Sequence, residues 1–164
     1  MKDLVPLAEK VALHLIAQKQ TIAVAESSTG GLIAAALLAV PGASAYFLGS
    51  AVVYTRQARR VLMDIPDADM KVEGVRSSSE PYAELLARQI RGRLGADWGL
   101  SETGAAGPGG NRYGDAAGHT CIAVAGPANA VMTLETASAD RLDNMHVFAS
   151  TALTFLLHNL SQRP

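Results

Sequence analysis

The chain has 164 residues, 49% hydrophobic and 18% charged, which bounds it to a single domain, 1–164, large enough to bury a core. Fourteen basic against fifteen acidic residues leave a net charge of -1, so there is neither a basic field for a nucleic-acid polymer nor an acidic tail. The single Cys121 excludes an internal disulfide, and no run of about 18 apolar residues is free of polar interruption, so a cytoplasmic protein without a membrane span or export signal is expected.

In chain order, Leu4, Leu7, Ala8, Val11 and Leu15 recur at helical spacing and predict an amphipathic helix over 4–19 with Lys10 and Gln18 outward. Residues 21–25, "TIAVA", carry almost no polar group, as in a strand covered on both faces, which places them inside a sheet. A helix is predicted over 29–40, with Leu32, Ile33, Ala36 and Leu37 on one stripe and a stop at Pro41 and Gly42. A strand at about 46–54 follows, then a short helix through "TRQARRVLM" and a long polar loop, "DIPDADMKVEGVR". Ser79 is placed to cap a helix that buries Tyr82, Leu85, Leu86 and Ile90 and ends at Gly95. "ADWGLSE", "HTCIAVAG" and "AVMTLETA" read as strands, and Asp140 opens a closing helix through Leu142, Met145, Phe148, Ala152 and Leu156. This order predicts an α/β fold, a three-layer α/β/α domain with a mixed, mostly parallel sheet and one antiparallel strand.

The stretch "AESSTGG", Ala25 to Gly31, lies where the first strand hands over to a helix. In open α/β sheets ligands bind beyond the carboxyl ends of strands, and free N–H groups at a helix start attract anions. Gly30 and Gly31 would let a phosphate or carboxylate approach the backbone. A plainer reading stands beside this one: Ser28 or Thr29 caps the helix and the glycines ease its packing.

The stretch "SETGAAGPGGNRYGDAAG", Ser101 to Gly118, repeats the arrangement of strand, glutamate, hydroxyl and glycine, with six glycines. Its exposed backbone donors would share one pocket with the first stretch if the two strands run parallel. It has neither a Walker A ending nor the dinucleotide glycine fingerprint, which leaves ATPase and Rossmann dehydrogenase readings weak. No His/Cys/Asp spacing resembles a zinc site, so no metal is expected.

"AESSTGGLIAAALLAVPGASAYFLGSAVVYTRQAR", "SSSEP", "TGAAGPGG" and the closing "DR" before an apolar helix resemble the CinA C-terminal family, whose members include the nicotinamide mononucleotide deamidases called PncC. The resemblance spans about 20–158, in family order. It implies a three-layer α/β/α fold and a pocket for a small pyridine nucleotide, whose carboxamide is hydrolysed to a carboxylate with release of ammonia. No amino-terminal domain precedes the match, so the stand-alone form is expected, as a homo-oligomer without cofactor.

Carried over by position, the resemblance makes Ser27 the nucleophile, with N–H groups of the following turn holding the oxyanion. It implies substrate contacts from Glu26, Ser28, Thr29, Gly30, Gly31, Tyr54, Thr103, Gly104, Ala105, Gly107 and Arg112. The family's activating lysine ends the motif "YSNEAK"; here the stretch is "YTRQAR" and the position holds Arg59. A guanidinium stays protonated near neutral pH and does not take the serine proton. Three other positions stand as alternatives. Lys71, in the long loop, is the only lysine beyond the first helix; Glu102, where the family carries an apolar residue, would pair with Arg59 or act as base; His119 begins a strand after the glycine-rich loop. Arg59 itself is read either as a clamp on a ligand anion or as a residue on a solvated helix face. Two function classes follow: an amidohydrolase with a rearranged base, and a nucleotide-binding or regulatory module that has lost turnover.

Overall fold

A computed structural model describes residues 1–162, in which five helices cover a five-stranded sheet. In chain order the elements are α1 (Val5–Ala17), β1 (Ile22–Glu26), α2 (Leu32–Leu38), β2 (Phe47–Val52), α3 (Arg56–Met63), α4 (Glu80–Leu94), β3 (Trp98–Ala105), β4 (His119–Ala125), β5 (Ala130–Glu135) and α5 (Arg141–Ser161). The strand order is β2-β1-β3-β4-β5. β1 runs parallel to both β2 and β3, whereas β4 is antiparallel to β3 and β5. One strand therefore opposes the other four, as the element order predicts.

Side-chain alternation in β1 separates the two outer layers. Ile22 and Val24 join Trp98, Leu100, Ile122 and Val124 against α1, α2 and α5. Ala23 and Ala25 face the opposite way, toward Leu86 and Ile90 of α4. On that side the sheet carries small residues, Ala123 and Ala125 among them, and α4 lies so close that a Cβ at Gly99 would sit 2.1 Å from the Ala87 carbonyl oxygen. β1 is buried at every position, in keeping with its place between two parallel partners.

The caps expected at Ser79 and Asp140 form: their side chains accept from the N–H groups of Tyr82 and Asp143, and Gly95 ends α4 in the left-handed region. Leu142, the first of the apolar residues that mark the closing helix, is 74% exposed. The long loop contains one 3-10 turn, Asp69–Lys71. The second helix is shorter than its apolar stripe suggests. It begins at Leu32 because Gly30 (φ 63°) and Gly31 (φ 101°) both adopt left-handed backbone, which breaks the run that would have started at Thr29. Among the described residues no helix is long and apolar enough to cross a membrane.

Candidate active site

The carboxyl ends of β1 and β3 are neighbours, because Ala25 pairs with Ser101 in parallel register. This places Ser27, just past β1, and Thr103, near the end of β3, on the wall of one cleft of about 660 Å³. Its other walls come from Thr55, Arg56 and Arg59 around α3, from Asp67, Met70, Lys71 and Arg76 in the long loop, and from Asn111, Arg112 and Tyr113 of the glycine-rich loop. Five cations (Arg56, Arg59, Lys71, Arg76 and Arg112) thus face one carboxylate, Asp67, in a chain whose overall charge is slightly negative. A smaller recess of about 190 Å³ adjoins it through Tyr54, Gly104 and Asn111, and is lined by Ser28, Ala105, Gly107 and Arg141 as well.

Two buried glutamates, not the glycines, organise the Ser27 loop. Glu26 ends β1 with its side chain fully buried. Its carboxylate accepts from the N–H groups of Gly31 (3.0 Å), Ile33 (3.1 Å) and Ala34 (2.8 Å) and from the Thr29 hydroxyl (2.7 Å). These are the free donors of the α2 N-terminus, so the chain's own carboxylate closes the position expected to take a ligand anion. Neither Ser28 nor Thr29 caps the helix; Gly31 is the cap residue and Glu26 supplies the acceptor. Burial raises the Glu26 pKa, these hydrogen bonds oppose the shift, and the nearby charge of Glu102 adds to it.

Glu102 is equally buried. It accepts from the N–H groups of Ser27 (3.1 Å) and Thr29 (2.9 Å) and from the hydroxyls of Ser28, Thr29 (3.0 Å) and Thr120 (2.9 Å). It therefore neither pairs with Arg59 nor lines the cleft; it holds the Ser27 loop from below. The Ser27 hydroxyl, by contrast, has no hydrogen-bond partner among the described residues and is left free toward the cleft.

Arg59 is 6% exposed and lines the cleft, so the solvated-face reading does not hold. Its partner is Asp67, which also meets Arg60 at 3.2 Å. His119 is no free base either. Its Nδ1 meets the Glu135 carboxylate and its Nε2 lies 2.9 Å from the Ser78 carbonyl oxygen. Both neighbours are acceptors, so both ring nitrogens donate when the ring is protonated. Burial alone would lower the His119 pKa, but Glu135, the Ser78 carbonyl and Asp115 outweigh it and raise the value above the ordinary 6.5. The stabilisation carried by these contacts is full below about pH 6.5 and is lost as pH rises through the raised value. The urea midpoint should therefore fall on going from neutral to mildly alkaline pH. His119→Gln should flatten that slope, and an unchanged slope would show that this ring does not titrate with folding.

Lys71, in the 3-10 turn, lines the same cleft as Ser27, and its side chain neither hydrogen-bonds nor ion-pairs with any described residue. Of the other expected contacts, Tyr54, Thr103, Gly104 and Arg112 line the main cleft and Ser28, Ala105 and Gly107 the recess, whereas Glu26, Thr29, Gly30 and Gly31 line neither. Tyr82 also lines the cleft, and burial pushes its phenol up to about 12 against the opposing charge of Arg59. It is a neutral group there.

Two arginines escape sequence reasoning. Arg76 makes a two-pronged bond to Asp115 (2.5 and 2.8 Å) and lies 5.3 Å from the centre of the Tyr113 ring, tying the long loop to the glycine-rich loop. This bond holds the Asp115 carboxyl below its usual range. Arg141 donates to the Gly107 carbonyl (2.6 Å) and to the Tyr54 hydroxyl (3.2 Å), while Asn144 donates to the Ala106 carbonyl (2.8 Å). Arg141 was visible only as half of the "DR" that precedes the last helix. Arg76 carried no local signal, because Asp115 is 39 residues away.

The sequence profile of the CinA C-terminal domain matches residues 4–160. The chain belongs to the CinA C-terminal domain family. Among curated relatives, a CinA-like protein of Gloeobacter violaceus is 43% identical over 121 residues, covering 74% of this CinA domain and 28% of the relative. A CinA-like protein of Chlorobaculum tepidum is 40% identical over 96% of this chain and 38% of its own length. This CinA domain thus spans about a third of the curated relatives it matches. A crystal structure of a CinA superfamily protein from Klebsiella pneumoniae superposes with a TM-score of 0.89 at 25% identity, covering 98% of this chain and 99% of that one. The competence/damage-inducible protein CihA from Agrobacterium tumefaciens gives 0.85 at 28% identity, covering 98% and 96%. The α/β/α architecture with its mixed sheet is that of the superfamily.

Proposed function

We propose that this CinA domain hydrolyses the carboxamide of a small pyridine nucleotide, nicotinamide mononucleotide or a close relative, to the carboxylate and ammonia. The observation that carries the reading is the Ser27 hydroxyl, unbonded and facing a cleft with five cations to one carboxylate. A nucleophile is useful only if its lone pair is free, and an anionic ligand is drawn to such a lining. In the first step Ser27 Oγ bonds to the carboxamide carbon, the C–N bond breaks, and ammonia leaves. Water then cleaves the resulting ester, releasing the carboxylate and restoring Ser27. The serine proton passes to the leaving nitrogen, and Lys71, the only lysine among the described residues that line the cleft, is the side chain proposed to relay it. The resemblance adds homo-oligomeric assembly and a cytoplasmic setting to this proposal.

One observation favours a second reading, a nucleotide-binding module without turnover. The position that carries the family's lysine holds Arg59, bound to Asp67, and Glu102 and His119 are both fully engaged. Ammonia release from nicotinamide mononucleotide by the purified protein separates the two. Stoichiometric binding with no ammonia above background establishes the module; sustained release establishes the hydrolase.

A further inference from the structure

Arg59 is the one residue of the cleft, among the described residues, with a buried side-chain donor left unbonded. Its Nε is buried and has no partner, the only such buried side-chain nitrogen or oxygen among the described residues. A buried donor left without an acceptor is destabilising, and such a group in a fold calls for an acceptor that the chain itself does not supply. The Asp67 pairing leaves it unmade because it is divided. One carboxylate oxygen meets Arg59 Nη2 and the other meets Arg60 Nη1. Neither reaches Nε, so the side-on fork of Nε and Nη2 is half filled.

The surroundings specify what would fill it. Arg56 lies three residues earlier on α3, which puts it on the same side of the helix. It lines the cleft, and its side chain makes no hydrogen bond or ion pair with a described residue. Arg76 is held by Asp115, and Arg112 donates to the Tyr113 hydroxyl. Glu26 already occupies the α2 N-terminus. An entering anion therefore finds its open donors on α3 and at the Lys71 ammonium, and of these only α3 offers a guanidinium fork. Among the described residues Asp67 is the only carboxylate lining the cleft, 46% exposed, on a loop.

We propose that Arg59 and Arg56 form an oxyanion seat, and that Asp67 fills it as an internal stand-in until a ligand phosphomonoester or carboxylate displaces it. The entering group takes Arg59 Nε–H and Nη2–H side-on through two oxygens, with the Arg56 charge beside it. Asp67 keeps Arg60. The exchange completes the bonding of a buried guanidinium, and the competing carboxylate makes the seat selective for groups that bind through two oxygens. The proposal deepens the nucleotide reading above but rests on binding alone.

The test is a titration followed by the Arg59 Nε–H resonance and by calorimetry, with four probes: inorganic phosphate, nicotinate, nicotinamide mononucleotide and nicotinate mononucleotide. Phosphate and nicotinate separate the two sources of the oxyanion, and the nucleotides show which end of the ligand takes the seat. At least one of the two simple anions should shift the Arg59 signal. Asp67→Asn should tighten that anion by about fivefold or more, because it removes the competitor, and Arg59→Gln should weaken it by about tenfold or more. Arg59→Lys, which keeps the charge and loses the fork, should also bind more weakly than the parent. If Asp67 only orients Arg59, Asp67→Asn weakens binding or leaves it unchanged, and either result overturns the proposal. Silence of the Arg59 signal to all four probes does the same. None of these readouts needs turnover, so absence of ammonia release refutes the amidase and leaves the seat standing.

Discussion

Ser27→Ala is expected to lower ammonia release from nicotinamide mononucleotide by at least about a thousandfold while leaving the nucleotide dissociation constant within about threefold. In the proposed reaction the side chain contributes an oxygen that bonds only when the carboxamide carbon is attacked, so its loss would fall on the transition state and not on the bound substrate. The fold gives a structural reason to expect the separation. The loop around Ser27 is held through its backbone N–H and through the side chains of Ser28 and Thr29, all directed at Glu102. Removing the Ser27 hydroxyl disturbs none of these bonds. Equal loss of binding and turnover would make Ser27 a structural serine, and unchanged turnover would remove it from the chemistry.

The second large effect falls on stability. Glu102→Leu is expected to lower the free energy of unfolding by about 3–5 kcal/mol, read as a fall in the urea midpoint. Leucine offers no acceptor, so the Ser27 and Thr29 N–H groups and the Ser28 and Thr120 hydroxyls, all satisfied by one carboxylate, lose it together. Relief of the repulsion between Glu102 and Glu26 offsets part of the loss. Glu102→Gln, which keeps one acceptor oxygen, should cost less than the leucine variant. The amide resonances of residues 27–29 should move in both. A leucine variant within about 1 kcal/mol of the parent would show that the loop is held by its neighbours instead.

Glu102 also shows how far a linear reading reaches. A glutamate standing in an apolar position beside a reactive loop reads as a base, because its spacing from Ser27 along the chain says nothing about which atoms its carboxylate meets. The pairing of β1 with β3 puts it beneath the loop, where five donors converge on it. The same holds for His119. Its place at a strand start was legible; the Glu135 carboxylate that engages its Nδ1 comes from the paired strand β5.

What the sequence by itself determined is the local and periodic part: the helical stripes, the two-sided burial of β1, the caps at Ser79 and Asp140, and the two hydroxyl-glycine strand ends. Each of these depends on residues within a turn or two of one another. Composition and element order then suffice for a three-layer sheet, since apolar stripes on helices and strands have few ways to be covered together. Only the tertiary structure decided which polar groups are spoken for. Glu26 closes the helix end expected to receive an anion, Asp67 engages Arg59, and Asp115 engages Arg76, all through buried or half-buried bonds whose geometry depends on how loops lie against one another. A side chain's chemistry depends on whether its lone pairs and protons are already in use, and that is settled by packing, not by order along the chain. For that reason Ser27 remains free for chemistry here and Glu102 does not.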